Sequence, residues 1–542
     1  MLSSLIRKTC QLQADPVLRR WLVGRLLGRW PGRPPFTAHK PPYLDGLLPL
    51  PLEIPSCHFE EFPETRPTGT LTLDLAGETI RIEFGQETNL FNRSFADVET
   101  LLSLHRFAWV RDDMDPAWVD TLWRAWLEGF HVPSHDWPWH PYTAGERAIN
   151  ILAFAHQYGM PGPRDQSLSV LAAHASVISE RLEYFGDHHT SNHLANNGRA
   201  LFFLGLEFDL PQATEVGAKI LTEEARRIFT SSGLLREDSS HYHLLYLRLF
   251  ENVAKAAEAA SRPEAQEFRN IAAKARDVAH FMMLPGGLPL IGDISPDIAP
   301  AALLSMLAIE PGTQSFCADG WVRFNSRPWS GLWHASPNGF SQMPGHGHQD
   351  TGSFELHYED EAVFIDPGRG AYGEDGEAAL YRSAVMHNGL MLNGQDPYPS
   401  NRPYYDDNFC RHIAGPLPEM TISSNGVTIS HHGFARFSNG GEHHRSWQFD
   451  GPRMTLDDKL EGRGRANITR TLITPLAVAP EKDGVTIKGK DRSYFLDTGE
   501  ARITVEPVTR WQAYGKGVSA YGIRMDTRQE LPFAQRLSLE AR

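Results

Sequence analysis

The chain has 542 residues, of which 41% are hydrophobic and 22% charged, a composition typical of soluble globular proteins with large cores. Its 66 acidic residues outnumber 52 basic ones and give a net charge of -14, which disfavours nucleic acids and anionic membrane surfaces as general partners. A polyanionic ligand would therefore need a locally basic cleft. No stretch is long and apolar enough to span a membrane.

The first 30 residues mix apolar side chains with Arg19, Arg20, Arg25 and Arg29. They lack the uninterrupted apolar segment and the small-residue cleavage pattern of a signal peptide. We therefore predict an amphipathic opening helix in a cytoplasmic protein, with the periplasm as the alternative location. Residues 31–65 are rich in proline and predict an irregular wrap over the surface.

Residues 70–84 alternate between apolar and polar side chains and predict a short hairpin. From about residue 97 the apolar residues recur with helical spacing, and short links containing glycine or proline separate the segments. Because helices joined by short links lie antiparallel, this series predicts a helical array or a closed α/α toroid. The predicted helices span residues 97–107, 116–129, 143–157, 166–183, 191–207, 213–230, 240–260 and 264–284.

Beyond about residue 321 the pattern changes to short alternating segments typical of strands. Asn425-Gly426, within the run 421–429, predicts a hairpin turn. We expect an antiparallel β-sandwich, with a cleft beside the toroid as a usual place for a ligand. Further strand-like runs are 445–457, 466–478, 484–489 and 501–507. The predicted domains are an N-terminal helix, wrap and hairpin (1–90), the toroid (91–315) and the β-sandwich (316–542).

The segment GHGHQD at residues 345–350 places two imidazoles on a glycine-rich turn. It precedes residues 353–358, which alternate like a half-buried strand. Imidazoles in this position suit proton transfer or metal ligation, although a surface turn with incidental histidines is the simpler interpretation. Asp366 and the pair His387-Asn388, which follow along the chain, favour the functional interpretation.

Two polar segments of the predicted toroid have alternative roles. Trp139 precedes a loop and is either a core residue or a platform on which a ligand stacks. Arg147, one turn inside the next helix, is either a structural ion-pair partner or a clamp for a carboxylate. Asn192, Asn196 and Arg199 recur at helical spacing and form one polar stripe, which begins at a helix N-terminus, where anions are favoured.

A third polar segment, residues 237–243, contains Tyr242 in the first turn of an amphipathic helix. Packing is the usual role of a tyrosine at such a position. If its hydroxyl faces a cleft beside a cation or an imidazole, its pKa falls and the tyrosine can shuttle protons.

Together these segments resemble the heparinase II/III-type polysaccharide lyases. The resemblance implies an α/α toroid followed by an antiparallel β-sandwich, and cleavage of uronate-containing polysaccharides by β-elimination. That chemistry needs a neutralised uronate carboxylate, a base for the C5 proton and an acid for the departing O4. The matching stretches, in the family's order, are residues 139–150, 192–203, 237–245, 345–354 and 363–393.

The resemblance assigns a role to each candidate site residue. Asn192 would help to neutralise the carboxylate, Tyr242 would be the acid and, for some stereochemistries, the base, and His346 would be the other base. The secondary substrate contacts implied by the resemblance are Trp139, Arg147, His193 and Asn196.

A structural zinc ion is a further implication of the resemblance. In some family members the second histidine of the H-x-H motif, an aspartate and a later histidine hold the metal. The corresponding residues here are His348, Asp366 and His387, a reasonable set of nitrogen and oxygen ligands. His387 has an alternative role, in which it orients the catalytic turn without a metal.

The leading prediction is therefore a polysaccharide lyase that acts on an acidic polysaccharide or oligosaccharide, with a role in bacterial polysaccharide processing. A catalytically silent glycan-binding or assembly protein on the same fold is the second hypothesis. A glycoside hydrolase is the third hypothesis. It needs two opposed carboxylates, and the sequence shows no convincing pair. The acidic composition disfavours long, heavily sulfated chains. The sequence leaves open the uronate, its linkage and the oligomeric state.

Overall fold

In the computed structural model, a helical domain precedes a domain of antiparallel sheets. The structure describes residues 12, 15–30, 36–51, 55–499 and 501–542. The predicted opening helix is represented by Pro16–Leu26, and its first part lies outside the described residues. Within the described part of the chain, no helix combines the length and the apolar character needed to cross a membrane.

The eight helices predicted between residues 97 and 284 are all present, with ends that differ by at most three residues. Proline at the first helical position and aspartate caps begin several of them, as in Asp115-Pro116. The sequence did not predict the short helix Pro300–Leu307, because its 8 residues form only about two turns, too few to show a helical periodicity. The described helices are α1 (Pro16–Leu26), α2 (Glu87–Phe91), α3 (Val98–Arg106), α4 (Pro116–Phe130), α5 (Pro141–Tyr158), α6 (Arg164–Glu180), α7 (His193–Glu207), α8 (Pro211–Ile228), α9 (Ser240–Ala259), α10 (Ala265–Met282), α11 (Pro300–Leu307), α12 (Gly376–Leu380) and α13 (Asp407–Ala414).

The strands form a small hairpin and two larger sheets, all paired antiparallel. The five-stranded sheet has the order β3-β4-β5-β6-β7. The ten-stranded sheet has the order β13-β14-β15-β17-β12-β11-β10-β9, with β16 on β17 and β8 on β12. The strands are β1 (Thr70–Asp74), β2 (Thr79–Glu83), β3 (Phe316–Ala318), β4 (Trp321–Ser326), β5 (Trp329–His334), β6 (Ser353–Tyr358), β7 (Glu361–Phe364), β8 (Leu390–Leu392), β9 (Glu419–Ile422), β10 (Gly426–His431), β11 (Gly440–Asp450), β12 (Arg453–Thr474), β13 (Ala477–Pro480), β14 (Gly484–Lys488), β15 (Ser493–Asp497), β16 (Arg502–Ala513) and β17 (Lys516–Ala541).

Two predicted hairpins are confirmed, and two predicted strands are wrong, since 466–478 also spans the end of β12 and the start of β13. β1 pairs with β2, and β9 pairs with β10 across Asn425, as the sequence indicates. The predicted strand 445–457 is instead the end of β11 and the start of β12. Gly451 separates them with a φ of +54°, which glycine adopts without steric cost.

Strand β6, predicted to be half-buried, is buried along its whole length. Phe354 and Leu356 face the core between the two sheets. The opposite face is covered by the helical domain, where the backbone N–H of Gly286 donates to His357 Nδ1 over 3.1 Å. The alternation in the sequence therefore separates an apolar interface from a polar one, rather than core from solvent.

The Asn388 side chain joins three segments of the sandwich. Its Nδ2 donates to the carbonyls of Phe354, at 2.6 Å, and Ile365, at 3.0 Å. Its Oδ1 accepts from the backbone N–H of Ile473 at 2.7 Å. All of these groups are buried, so the amide satisfies backbone atoms that water cannot reach.

We predict that Asn388→Ala lowers the free energy of unfolding by about 2–5 kcal/mol, because it leaves these backbone groups without partners. Urea denaturation followed by tryptophan fluorescence measures the change. The matched control is Asn408→Ala, at an exposed position, with an expected change of under about 0.5 kcal/mol. Equal stability of the two variants would contradict the assignment.

Candidate active site

A cavity of about 810 Å³ opens where the helical domain meets the sandwich. Helices α5, α7 and α9 line it, together with the segment 295–299 and the turn between β16 and β17. The polar side chains that face it include Tyr142, Asn192, Asn196 and Tyr242. Its size is in the range of ligand sites in proteins.

The first turn of α9 is fixed to the segment 290–297. Ser239 caps the helix, and its Oγ accepts from the Tyr242 N–H at 3.1 Å and donates to the Asp293 carbonyl at 2.7 Å. The N–H of Ser240 donates to the Ile291 carbonyl at 3.1 Å. These bonds set the position of Tyr242 relative to Asp293.

The Tyr242 hydroxyl lies 2.6 Å from the Tyr372 hydroxyl, which also lies 3.1 Å from the Ile294 carbonyl oxygen. Burial, reinforced by the nearby carboxylate of Asp293, raises the pKa of Tyr242 well above its ordinary value. Our expectation of a lowered pKa is therefore wrong. The phenol keeps its proton at neutral pH, which suits an acid better than a base.

His346 lies against Tyr242, with 5.1 Å between the ring centroids. Its Nδ1 is 3.1 Å from Asp293 Oδ2. Burial alone would lower the pKa of His346, but the hydrogen bond to Asp293 raises it above its ordinary value. When the carboxylate accepts from Nδ1–H, the lone pair of the neutral imidazole lies on Nε2, which is then available as a base.

Asp293 is the central acceptor of the site, and the sequence analysis missed it. Besides His346, its carboxylate contacts His348 Nε2 and Arg369 Nη1, each at 2.9 Å. Burial would raise its pKa, yet Arg369 and the two histidines hold the pKa of Asp293 well below its ordinary value. Its only signal in the sequence is a Gly-Asp pair after an apolar run.

Asn192, the residue just before α7, lines the same cavity as Tyr242. Its Nδ2 donates to Glu237 Oε2 at 3.2 Å, whereas its Oδ1 is buried and has no hydrogen-bond partner in the described part of the chain. The charge of Glu237 also acts on His346, where it raises the pKa. The structure thus brings together all three residues predicted to be catalytic, Asn192, Tyr242 and His346.

Two of the four predicted substrate contacts lie beside the site. Asn196 lines the cavity, with its Nδ2 3.5 Å from the Tyr142 carbonyl oxygen. The His193 ring packs on Tyr142 with 4.5 Å between centroids. Its Nδ1 is 2.7 Å from Glu183 Oε1, and this contact outweighs burial and raises the pKa of His193.

The other two predicted contacts, Trp139 and Arg147, lie in the helical core, which contradicts our expectation. Arg147 is fully buried and stacks on Trp126, while its Nη1 donates to the carbonyls of His105 and Pro138 at 3.0 and 2.7 Å. Trp139 is 1% exposed. The guanidinium of Arg147 donates to backbone carbonyls that would otherwise lack partners, so Arg147 is a structural residue.

The predicted zinc ligands are close in space but already paired. His387 Nδ1 is 2.8 Å from Asp366 Oδ2, and His348 Nε2 contacts Asp293. His348 Nδ1 and His387 Nε2 are buried without hydrogen-bond partners among the described residues, and their rings lie 5.2 Å apart. Within the ranges that the structure describes, no three histidine, cysteine or acidic residues are arranged to hold a metal ion. The structural zinc ion at His348, Asp366 and His387 therefore stays a prediction.

Residues 309–519 match the family model described as heparinase II/III-like, C-terminal. The fold is similar to that of the crystal structure titled heparinase III, with a TM-score of 0.64 and 18% sequence identity, over 83% of this chain and 78% of that one. No curated protein matches the chain in sequence.

Two further solved structures are similar to the chain. A mutant of the heparan sulfate lyase HepC from Pedobacter heparinus has a TM-score of 0.56 and 16% identity, over 85% of this chain and 79% of that one. A structure titled heparinase III, BT4657 gene product, has a TM-score of 0.58 and 17% identity, over 82% of this chain and 78% of that one. These likenesses confirm the predicted fold, an α/α toroid followed by a β-sandwich.

We predict that Asp293→Asn lowers the pKa of His346, because the amide removes the charged acceptor that stabilises the imidazolium. NMR titration of the His346 ring protons measures the pKa. Asp297→Asn is the matched control in the same loop, since its carboxylate binds Tyr142 and Arg106 instead. A folded Asp293→Asn protein with an unchanged His346 pKa would show that the contact does not control this imidazole.

Proposed function

We propose that this chain is a member of the heparinase II/III-type polysaccharide lyase family and cleaves a uronate-containing acidic polysaccharide by β-elimination. The observation that carries the proposal is the pairing of Tyr242 and His346 across the domain boundary, 5.1 Å apart at their ring centroids. One ring belongs to the toroid and the other to the turn before β6, so docking of the domains creates the pair.

The proposed reaction uses the two rings as a complementary acid and base. His346 Nε2 takes the C5 proton of the uronate. The C4–O4 bond breaks as the C4=C5 double bond forms, and the Tyr242 hydroxyl gives its proton to the departing O4. The assignment rests on two observations. Burial raises the pKa of Tyr242, so the phenol keeps its proton. The contact of Asp293 with His346 Nδ1 leaves the lone pair of the neutral imidazole on Nε2.

Asn192 supplies the third requirement, a polar group that stabilises charge on the uronate carboxylate as the C5 proton leaves. Its amide lies at the same end of the cavity and is held by Glu237. An amide suits this task because it contributes hydrogen bonds without a titrating charge.

The ion pairing of the cavity supports a lyase over a hydrolase. A hydrolase needs two carboxylates free to act as acid and as base or nucleophile. Asp297 is instead held by Arg106 and Tyr142, both at 2.7 Å. Glu146 is paired with Arg199 at 2.9 Å.

We predict that Tyr242→Phe and His346→Ala each lower kcat by about 10²–10⁴-fold, because each removes one proton-transfer group. The ultraviolet absorbance of the 4,5-unsaturated uronate, recorded with a panel of acidic polysaccharides, measures turnover. Tyr158→Phe, at the far end of α5 and outside the cavity, is the matched control and retains activity.

Other outcomes of this assay would overturn parts of the proposal. Reducing ends without unsaturated product would indicate hydrolysis. Binding without turnover in the wild-type protein would favour the silent glycan-binding hypothesis. Turnover that survives both substitutions would leave lyase chemistry standing and contradict the residue roles.

We further predict that kcat/KM rises with pH, with its midpoint above 6.5, the ordinary pKa of histidine. The base must be neutral, and the pKa of His346 is raised, so activity is lost as the pH falls through that raised value. Asp293→Asn shifts the midpoint to lower pH. A pH profile that is the same in both proteins would contradict His346 as the base.

A further inference from the structure

Two helices present aligned polar residues to the cavity beyond the catalytic end. On α7, Arg199 follows Asn192 by seven residues, and on α9, Arg248 follows Tyr242 by six. All four side chains line the cavity. At 1.5 Å per residue, each arginine therefore lies roughly 9–10 Å along its helix from a catalytic residue.

The two arginines share a single carboxylate. Arg199 Nη2 lies 2.9 Å from Glu146 Oε1. Arg248 is half-buried and forms no hydrogen bond or ion pair with another residue in the described part of the chain. The charges of Arg199 and Glu146 both act on Arg248, which places the three groups in one electrostatic cluster with an uncompensated positive charge.

The lining of the cavity as a whole, this cluster included, has a small excess of basic residues. Its lining contains five arginine and lysine residues against four aspartate and glutamate residues, whereas in the whole chain acidic residues outnumber basic ones by 66 to 52. Asp297 is already held by Arg106, which is buried behind the wall. Arg248 thus faces the cavity without an ion-pair partner among the described residues, and Glu146, whose charge acts on it, is paired with Arg199.

We propose that Arg199 and Arg248 form a second anion subsite, which binds a carboxylate or sulfate on another sugar of the same acidic chain. The inference rests on the proposed function, because it takes Asn192 and Tyr242 as the place of cleavage. The guanidinium groups suit both ligands, since each can donate two parallel hydrogen bonds to a planar or tetrahedral oxyanion. The subsite would therefore select chains with a second acidic group at this distance.

The test measures binding separately from catalysis. Isothermal titration calorimetry is performed on Tyr242→Phe protein with two probes, a heparan sulfate hexasaccharide and its fully desulfated counterpart. We expect the additional substitution Arg248→Gln to weaken binding of the sulfated probe by about 10- to 100-fold, through loss of charge-assisted hydrogen bonds. The matched control is Lys274→Gln, which removes one exposed positive charge outside the cavity and leaves affinity within about twofold.

A second substitution is expected to act in the opposite direction. Glu146→Gln removes the carboxylate that competes for Arg199, so we expect tighter binding of the same probe.

Arg248→Lys keeps the charge but loses the planar fork, so we expect its affinity to lie between that of the Tyr242→Phe parent and that of the Arg248→Gln variant. Thermal melting of each protein verifies that it is folded.

The two probes distinguish the anion. A loss of affinity confined to the sulfated hexasaccharide assigns a sulfate, and an equal loss with both probes assigns a carboxylate. Unchanged affinity in Arg248→Gln, or no binding of either probe to the Tyr242→Phe protein, overturns the subsite. Arg248-dependent binding without unsaturated product from the wild type would retain the subsite and reject the lyase. Turnover that Arg248→Gln leaves unchanged would retain the lyase and reject the subsite.

Discussion

The proposed active site depends on one buried carboxylate, that of Asp293. It is 1% exposed and accepts from two imidazoles and a guanidinium, all of which belong to the β domain. An ionised carboxylate is costly to bury unless cations and hydrogen-bond donors pair with it. His346, His348 and Arg369 supply those partners, so docking of the sandwich on the toroid both satisfies Asp293 and orients the imidazole of His346, the proposed base.

The segment that carries Asp293, residues 290–297, also positions Tyr242, the proposed acid. Its backbone carbonyls accept from Ser239 and Ser240 at the start of α9, and the Ile294 carbonyl oxygen lies 3.1 Å from the Tyr372 hydroxyl, the partner of Tyr242. Tyr242 and His346 therefore take their positions from the same eight residues, although 104 positions separate them in the chain. Such preorganisation keeps the acid and base at a fixed separation without a covalent link.

Periodicity predicted the helices to within three residues, because each buries a continuous apolar stripe. The predicted catalytic residues lie in motifs long enough to be identified by resemblance. Asp293 has no such context: it lies in an irregular loop, and its partners are 53 to 76 residues away. Trp139 and Arg147 were misplaced because their positions near a helix start look the same in the sequence whether the side chain faces a ligand or the buried core.

Net charge alone does not describe the charges that a ligand would meet in the cavity. The acidic composition disfavours sulfated chains, but composition averages over the whole surface, whereas a ligand meets only the groups left unpaired in the cavity. There Glu146 and Asp297 are each held by an arginine, while Arg248 has no such partner among the described residues. The charge that a ligand meets at the site therefore depends on which groups are already paired, as Glu146 of α5 is with Arg199 of α7, and a residue count does not contain that information.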